Sequence, residues 1–131
     1  MSATNYLENE VLDHVLGKGT RDFSSPTTLA IGLFTAVADG EASSVTEVSG
    51  NGYARTAVTF NTASGGSATN NGDVTFNAAS GGSFGTITHI GVFDATSSGN
   101  LLFYGALSAS KTVDDGDIFQ ISDTNLSISL D

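Results

Sequence analysis

The chain of 131 residues has no cysteine, no tryptophan, a single proline and only four basic side chains, Lys18, Arg21, Arg55 and Lys111. Without cysteine there is no disulfide framework, no thiolate zinc site and no cysteine nucleophile. The four cations stand against fourteen carboxylates and leave a formal charge of −10. They are too few and too scattered to form the basic stripe that a phosphate backbone demands, so no nucleic-acid binding is expected. An anionic membrane surface would repel the chain for the same reason. No apolar run approaches the roughly 20 residues of a membrane-spanning helix, and Met1 to Leu16 lacks a basic segment followed by an apolar one. The expectation is a soluble protein, made without secretion and without membrane contact. Charged residues make up 14% of the chain, against about 25% in an average soluble protein. So sparse a charge suits a surface that meets other protein inside an assembly.

What is present is mostly Ser, Thr, Gly, Ala and Asn, with Val, Ile, Leu and Phe spaced among them. Thr, Val, Ile and Phe suit a pleated, half-buried surface, and Gly, Asn, Asp and Ser supply turns. Disorder would require low hydropathy, whereas mean hydropathy here lies just above zero and 39% of residues are hydrophobic. The length fits one domain. The composition predicts an all-β, mainly antiparallel domain, a β-sandwich or jelly-roll-like fold of about eight short strands, with one N-terminal α-helix.

The helix is read over residues 4–16, where Leu7, Val11, Leu12, Val15 and Leu16 gather on one face of a 3.6-residue period. Asn5 with Glu8 resembles a capping pair, and Gly17 and Gly19 suit its end. So short a helix needs a partner for its apolar stripe, either this chain's sheet or a neighbouring subunit. The chain thus divides into an N-terminal helical arm, 1–20, and a β-domain, 21–131.

After a loop from Arg21 to Pro26, strands are expected at 28–36, 45–48, 53–60, 73–77, 86–93, 100–107, 118–121 and 126–130. Leu29 to Phe34 is apolar on both faces and therefore central. The Gly/Ser-rich runs 61–72 and 78–85 read as exposed loops, and Lys111 to Gly116 as an acidic turn. The expected core is Leu29, Ile31, Leu33, Phe34, Val58, Phe60, Ile87, Ile90, Val92, Phe93, Leu102, Ile118, Leu126 and Ile128.

Chemistry is sparse. His14 falls on the polar flank of the helix and reads as a solvated histidine; His89 falls mid-strand and reads as a buried, hydrogen-bonded one. Neither accompanies a Gly-x-Ser-x-Gly elbow. Asp114, Asp115 and Asp117, with Asp123 nearby, could offer oxygens to calcium, but their spacing is not that of an EF-hand and a solvated turn accounts for them. No catalytic residue, cofactor or metal ligand is assigned. Arg55 stands alone in an otherwise uncharged strand. It serves either as an edge charge that prevents stray pairing or as a guanidinium paired with a carboxylate across a subunit interface.

Several segments then resemble one family. Residues 6–17, Tyr6-Leu7-Glu8-Asn9-Glu10-Val11-Leu12-Asp13-His14-Val15-Leu16-Gly17, and Leu29-Ala30-Ile31-Gly32-Leu33-Phe34-Thr35-Ala36 are similar to the opening of small structural proteins of tailed bacteriophages, commonly labelled tail-fibre proteins. Gly50-Asn51-Gly52-Tyr53-Ala54-Arg55 resembles their Gly-x-Gly-Tyr-x-Arg segment. Residues 85–95, Gly85-Thr86-Ile87-Thr88-His89-Ile90-Gly91-Val92-Phe93-Asp94-Ala95, followed by Gly99-Asn100-Leu101-Leu102, resemble their most recognisable stretch, with Phe84 where members often carry tryptophan. The resemblance implies a non-enzymatic virion structural protein. Compactness and the lack of a fibrous repeat favour a capsid decoration (cement) protein on the head shell; the alternative is a tail fibre or tail-tip and baseplate component in host attachment. The implied partners are the major capsid protein or tail proteins of the same virion, and further copies of the chain, preferably as a trimer. Candidate interface residues are Leu7, Val11, Val15, Tyr53, Arg55 and Tyr104.

Overall fold

A computed structural model describes residues 1–19 and 24–130, so the loop expected from Arg21 begins outside the described residues. In chain order the elements are β1 (Ser2–Ala3), α1 (Asn5–Leu16), β2 (Leu29–Asp39), β3 (Ser44–Glu47), β4 (Thr56–Val58), β5 (Ser67–Thr69), β6 (Val74–Thr75), β7 (Gly85–Phe93), β8 (Leu101–Val113), β9 (Gln120–Ile121) and β10 (Ser127–Ser129). β2 is central, as its two-faced apolar pattern requires. One edge pairs with β7; the other pairs end to end with β4, at Leu29–Ile31, and then β3, from Phe34 on. β7 and β8 form a long hairpin, and β1 adds two residues to the outer edge of β8. Every pairing is antiparallel.

Successive residues of β2 face opposite sides. Ile31 and Leu33 join Ile87, Ile90 and Val92 on one face, covered by Val74, Phe76, Phe119 and Leu126, which lie in or directly beside the strands of the small sheets β6–β9 and β5–β10. This second layer makes the fold β-sandwich-like; the described strands do not close into a barrel. On the other face Phe34 meets Phe93 edge to face, ring centroids 6.0 Å apart, with Leu101 completing the cluster. Gly32 and Gly91 lie opposite each other across β2 and β7. A Cβ on Gly91 would lie 2.5 Å from Leu101 and 2.6 Å from the Phe34 ring, and one on Gly32 would lie 2.7 Å from the Phe93 ring. The glycine pair makes room for the aromatics.

The helix departs from expectation at its start. Thr4, not Asn5, is the N-cap; its Oγ1 accepts from the Leu7 amide at 3.4 Å and donates to the Leu101 carbonyl at 2.7 Å. Gly17, at φ 69°, closes the far end as expected. Leu7 is buried and Val11 half-buried, but Leu12, Val15 and Leu16 are exposed, so the stripe packs only along its first half.

Most expected core residues are buried, with Leu29, Phe60 and Ile128 at its margin. Ile118 is the exception, 58% exposed. Its neighbour Phe119 takes the inward place, accepting from the Phe76 amide at 3.0 Å while its ring meets Phe76 edge to face, and β9 shortens accordingly. The segment 61–72 is not a free loop. Ser67–Thr69 pairs with Ser127–Ser129, and Asn70 is wholly buried. Lys111 likewise belongs to β8, opposite Ile87, and not to the following turn.

Gly91→Ala is expected to overpack this sheet and destabilise the fold by about 1–3 kcal/mol. The urea-unfolding midpoint measures it, with the denaturant slope unchanged.

Candidate functional site

Gly50, Asn51 and Gly52 are three successive residues with positive φ, at 75°, 54° and 81°. This turn, which two glycines make inexpensive, folds the chain back over the end of β3. Its first product is Tyr53. Between the stretches of β2 paired with β4 and β3, the Leu33 amide has no ladder partner on that edge, and the Tyr53 hydroxyl accepts it at 3.0 Å while donating to Glu47 Oε1 at 2.7 Å. The Tyr53 ring stacks on Phe76, centroids 6.3 Å apart, and meets Phe84 edge to face. Burial, reinforced by the hydrogen bond to Glu47, holds its phenol well above the usual tyrosine range.

Arg55 is the second product. Nε and Nη2 donate to the two oxygens of Glu47, each at 2.8 Å, a bidentate pair. Nη1 donates to the Ser98 carbonyl at 2.6 Å and the Ala95 carbonyl at 3.3 Å in the β7–β8 turn. The guanidinium carbon lies 3.3 Å from the centroid of the Phe93 ring, a close cation–π arrangement. Asp94 stiffens that turn by accepting from the Asn100 amide at 2.7 Å and side chain at 2.9 Å. Arg55 therefore finds its carboxylate within its own chain.

The six candidate interface residues separate accordingly. Tyr53 and Arg55 belong to this internal clamp, Tyr104 is half-buried beside the Phe34–Phe93 cluster, and Leu7 is buried. Val11 is half-buried, and Val15 is 72% exposed. Outward-facing apolar surface is found at Leu12, Val15 and Leu16, and around a crevice of about 250 Å³ beside β10. A broader, more polar groove runs between β8 and residues 117–127, with Lys111, Asp117 and Ile118 among its walls. Nothing in the hydrophobic pattern distinguishes these exposed positions from buried ones.

Outside the clamp, several aspartates serve turns. Asp117 accepts from the Asp114 amide at 3.0 Å, Asp115 from Gly81 at 3.2 Å, and Asp123 from Gly72 at 2.8 Å. Among the described residues no three His, Asp or Glu side chains cluster as metal ligands would. His14 is exposed; His89 is half-buried, with Nδ1 2.8 Å from Thr88 Oγ1.

The sequence comparison supplies the class, a structural protein of the bacteriophage virion. The family model for the podophage GP4 fiber I protein gp80 matches residues 2–129, and the chain belongs to that family. A search of curated proteins finds no match. The fibre description fits the tail-fibre alternative better than the shell-decoration role favoured by compactness alone.

Arg55→Ala is expected to cost about 2–4 kcal/mol, because it leaves Glu47 partly buried without its partner. Arg55→Lys should recover less than half of that loss, since an ammonium cannot reproduce the fork. Denaturant titration checks both. Above about pH 10 the unfolded chain releases the Tyr53 proton while the native fold retains it, so stability falls as pH rises. Tyr53→Phe is expected to flatten this alkaline decline in pH-dependent unfolding, though it lowers stability at neutral pH.

Proposed function

We propose that this chain is a non-enzymatic tail-fibre component, held at the tail of the virion and acting in host attachment. The observation that carries the reading is the match to a fibre family along nearly the whole chain, residues 2–129. The clamp supports it by fixing the β3 end, the Gly-Tyr-Arg turn and the β7–β8 turn as one rigid unit suited to bearing contacts. The formal charge of −10 favours a docking surface on a neighbouring tail protein that presents lysine and arginine. Catalysis has no support in the geometry: the half-buried histidine bonds a threonine hydroxyl of its own strand, and the aspartates cap turns.

Antibody labelling of intact virions, with imaging, tests the location. A few copies confined to the tail are expected; many copies spread over the head would overturn the reading in favour of shell decoration. Particles lacking the protein should adsorb poorly to host cells yet keep their DNA under heat and chelator as well as complete ones do. Early DNA loss with normal adsorption would count the same way as head labelling.

A further inference from the structure

The chain holds two Asn-Gly pairs, Asn51-Gly52 and Asn71-Gly72. Asparagine is a thermolabile residue. A glycine after it, lacking Cβ, leaves the next amide nitrogen open to attack the side-chain carbon. The two pairs are alike in sequence and differ in what the fold does with that nitrogen.

At the second pair the nitrogen is engaged. The Gly72 amide donates to Asp123 Oδ1 at 2.8 Å, a hydrogen bond strengthened by the carboxylate charge. Asn71 is fixed on both sides of its Cα: its amide donates to the Thr59 carbonyl at 2.9 Å, and its carbonyl accepts from Thr59 Oγ1 at 3.2 Å. Asn70, wholly buried beside it, donates to the Gly72 carbonyl at 2.8 Å and closes the turn.

At the first pair the nitrogen is free. Asn51 and Gly52 are both exposed, and among the described residues no acceptor takes the Gly52 amide. Two bonds hold Asn51 itself: Nδ2 donates to the Ser83 carbonyl at 2.9 Å, and the Asn51 carbonyl accepts from the Ser80 amide at 2.9 Å. Neither involves a charge, and each exchanges with water at small net cost.

We propose that Asn51 is a site of spontaneous deamidation and that its conversion loosens the clamp built on Tyr53 and Arg55. The Gly52 amide gives its proton to solvent, and its nitrogen bonds to Asn51 Cγ. The Cγ–Nδ2 bond breaks, and ammonia leaves with a proton from solvent. Water then opens the cyclic imide. Breaking the new N–Cγ bond yields aspartate; breaking the bond from that nitrogen to the Asn51 main-chain carbonyl carbon yields isoaspartate. Aspartate sets a carboxylate oxygen, in place of a donor, against the Ser83 carbonyl. Isoaspartate adds a carbon to the main chain within three successive residues of positive φ. Tyr53 and Arg55 leave directly from that turn, so their bonds to Glu47 weaken with it. The inference rests on the clamp and not on the fibre reading, so either can fail alone.

The test incubates the full-length protein, warm and at mildly alkaline pH, and follows both sites by peptide mapping with mass spectrometry. A parallel sample in urea reports each pair without the fold, and there the two should convert at similar rates. In the native protein Asn51 is expected to convert about tenfold faster than Asn71, the factor that one hydrogen bond to a charged group is worth. Equal native rates, Asn71 ahead, or no native conversion while the urea sample reacts would each overturn the proposal. Asp123→Ala frees the Gly72 amide and should raise native conversion at Asn71 with unchanged circular dichroism; an unaltered rate would show that amide bonding does not select the site. The urea-unfolding midpoint tests the link to the clamp. It should fall in the parent chain as Asn51 converts, and hold in Asn51→Gly, which keeps the positive φ and lacks the side-chain amide. A parallel decline in both, or a steady midpoint in a converted parent, overturns that link.

Discussion

The bidentate pair between Arg55 and Glu47 sits where three parts of the chain would otherwise separate: the end of β3, the approach to β4 and the turn between β7 and β8. Desolvating two charges is costly, and the arrangement offsets that cost by using four of the five guanidinium N–H donors. Two point at the carboxylate, a third nitrogen reaches two carbonyls, and the flat face lies on Phe93. The same carboxylate accepts from Tyr53, whose oxygen in turn satisfies the Leu33 amide at the break between β3 and β4. Even the glycine pair depends on it, because the space above Gly32 is occupied by Glu47 and Phe93.

Much of the fold follows from local pattern. The two-faced apolar run of β2 requires a central strand, and the alternation Leu126, Ile128, Leu130 locates β10. Other features depend on contacts that periodicity does not encode. Ile118 and Phe119 are equally plausible core residues in sequence; the Phe76 ring decides between them. In β7 the register slips between Ile87 and His89, so Ile87 and Phe93 join different clusters although their spacing suggests one face. Arg55 is conspicuous in sequence, yet its partner lies eight residues back and its aromatic roof is on another strand. Nor does an amphipathic stripe reveal that its far end is left uncovered.

Asn70 explains how a run of Ser, Gly, Thr and Asn acquires structure. Its side-chain oxygen accepts from the Leu126 amide at 2.9 Å, and its nitrogen donates to the carbonyls of Gly72 and Ser122 at 2.8 and 3.1 Å. Its own amide donates to Leu126 at 3.0 Å. One buried amide thus stands in for a short piece of strand. Small neighbours are needed for so close an approach, which accounts for a composition that resembles a linker although the segment is anchored.

The attachment of α1 also has a mechanical side. Force applied to the helix need not travel along the connection into β2. It passes through the Thr4 amide and hydroxyl into Leu102 and Leu101, in the outer strand of the longest hairpin, and through the Asn5 amide into Glu41 in the β2–β3 turn. Tension on the helix is therefore shared by several bonds at once, and the turns that hold the clamp lie off the line of load.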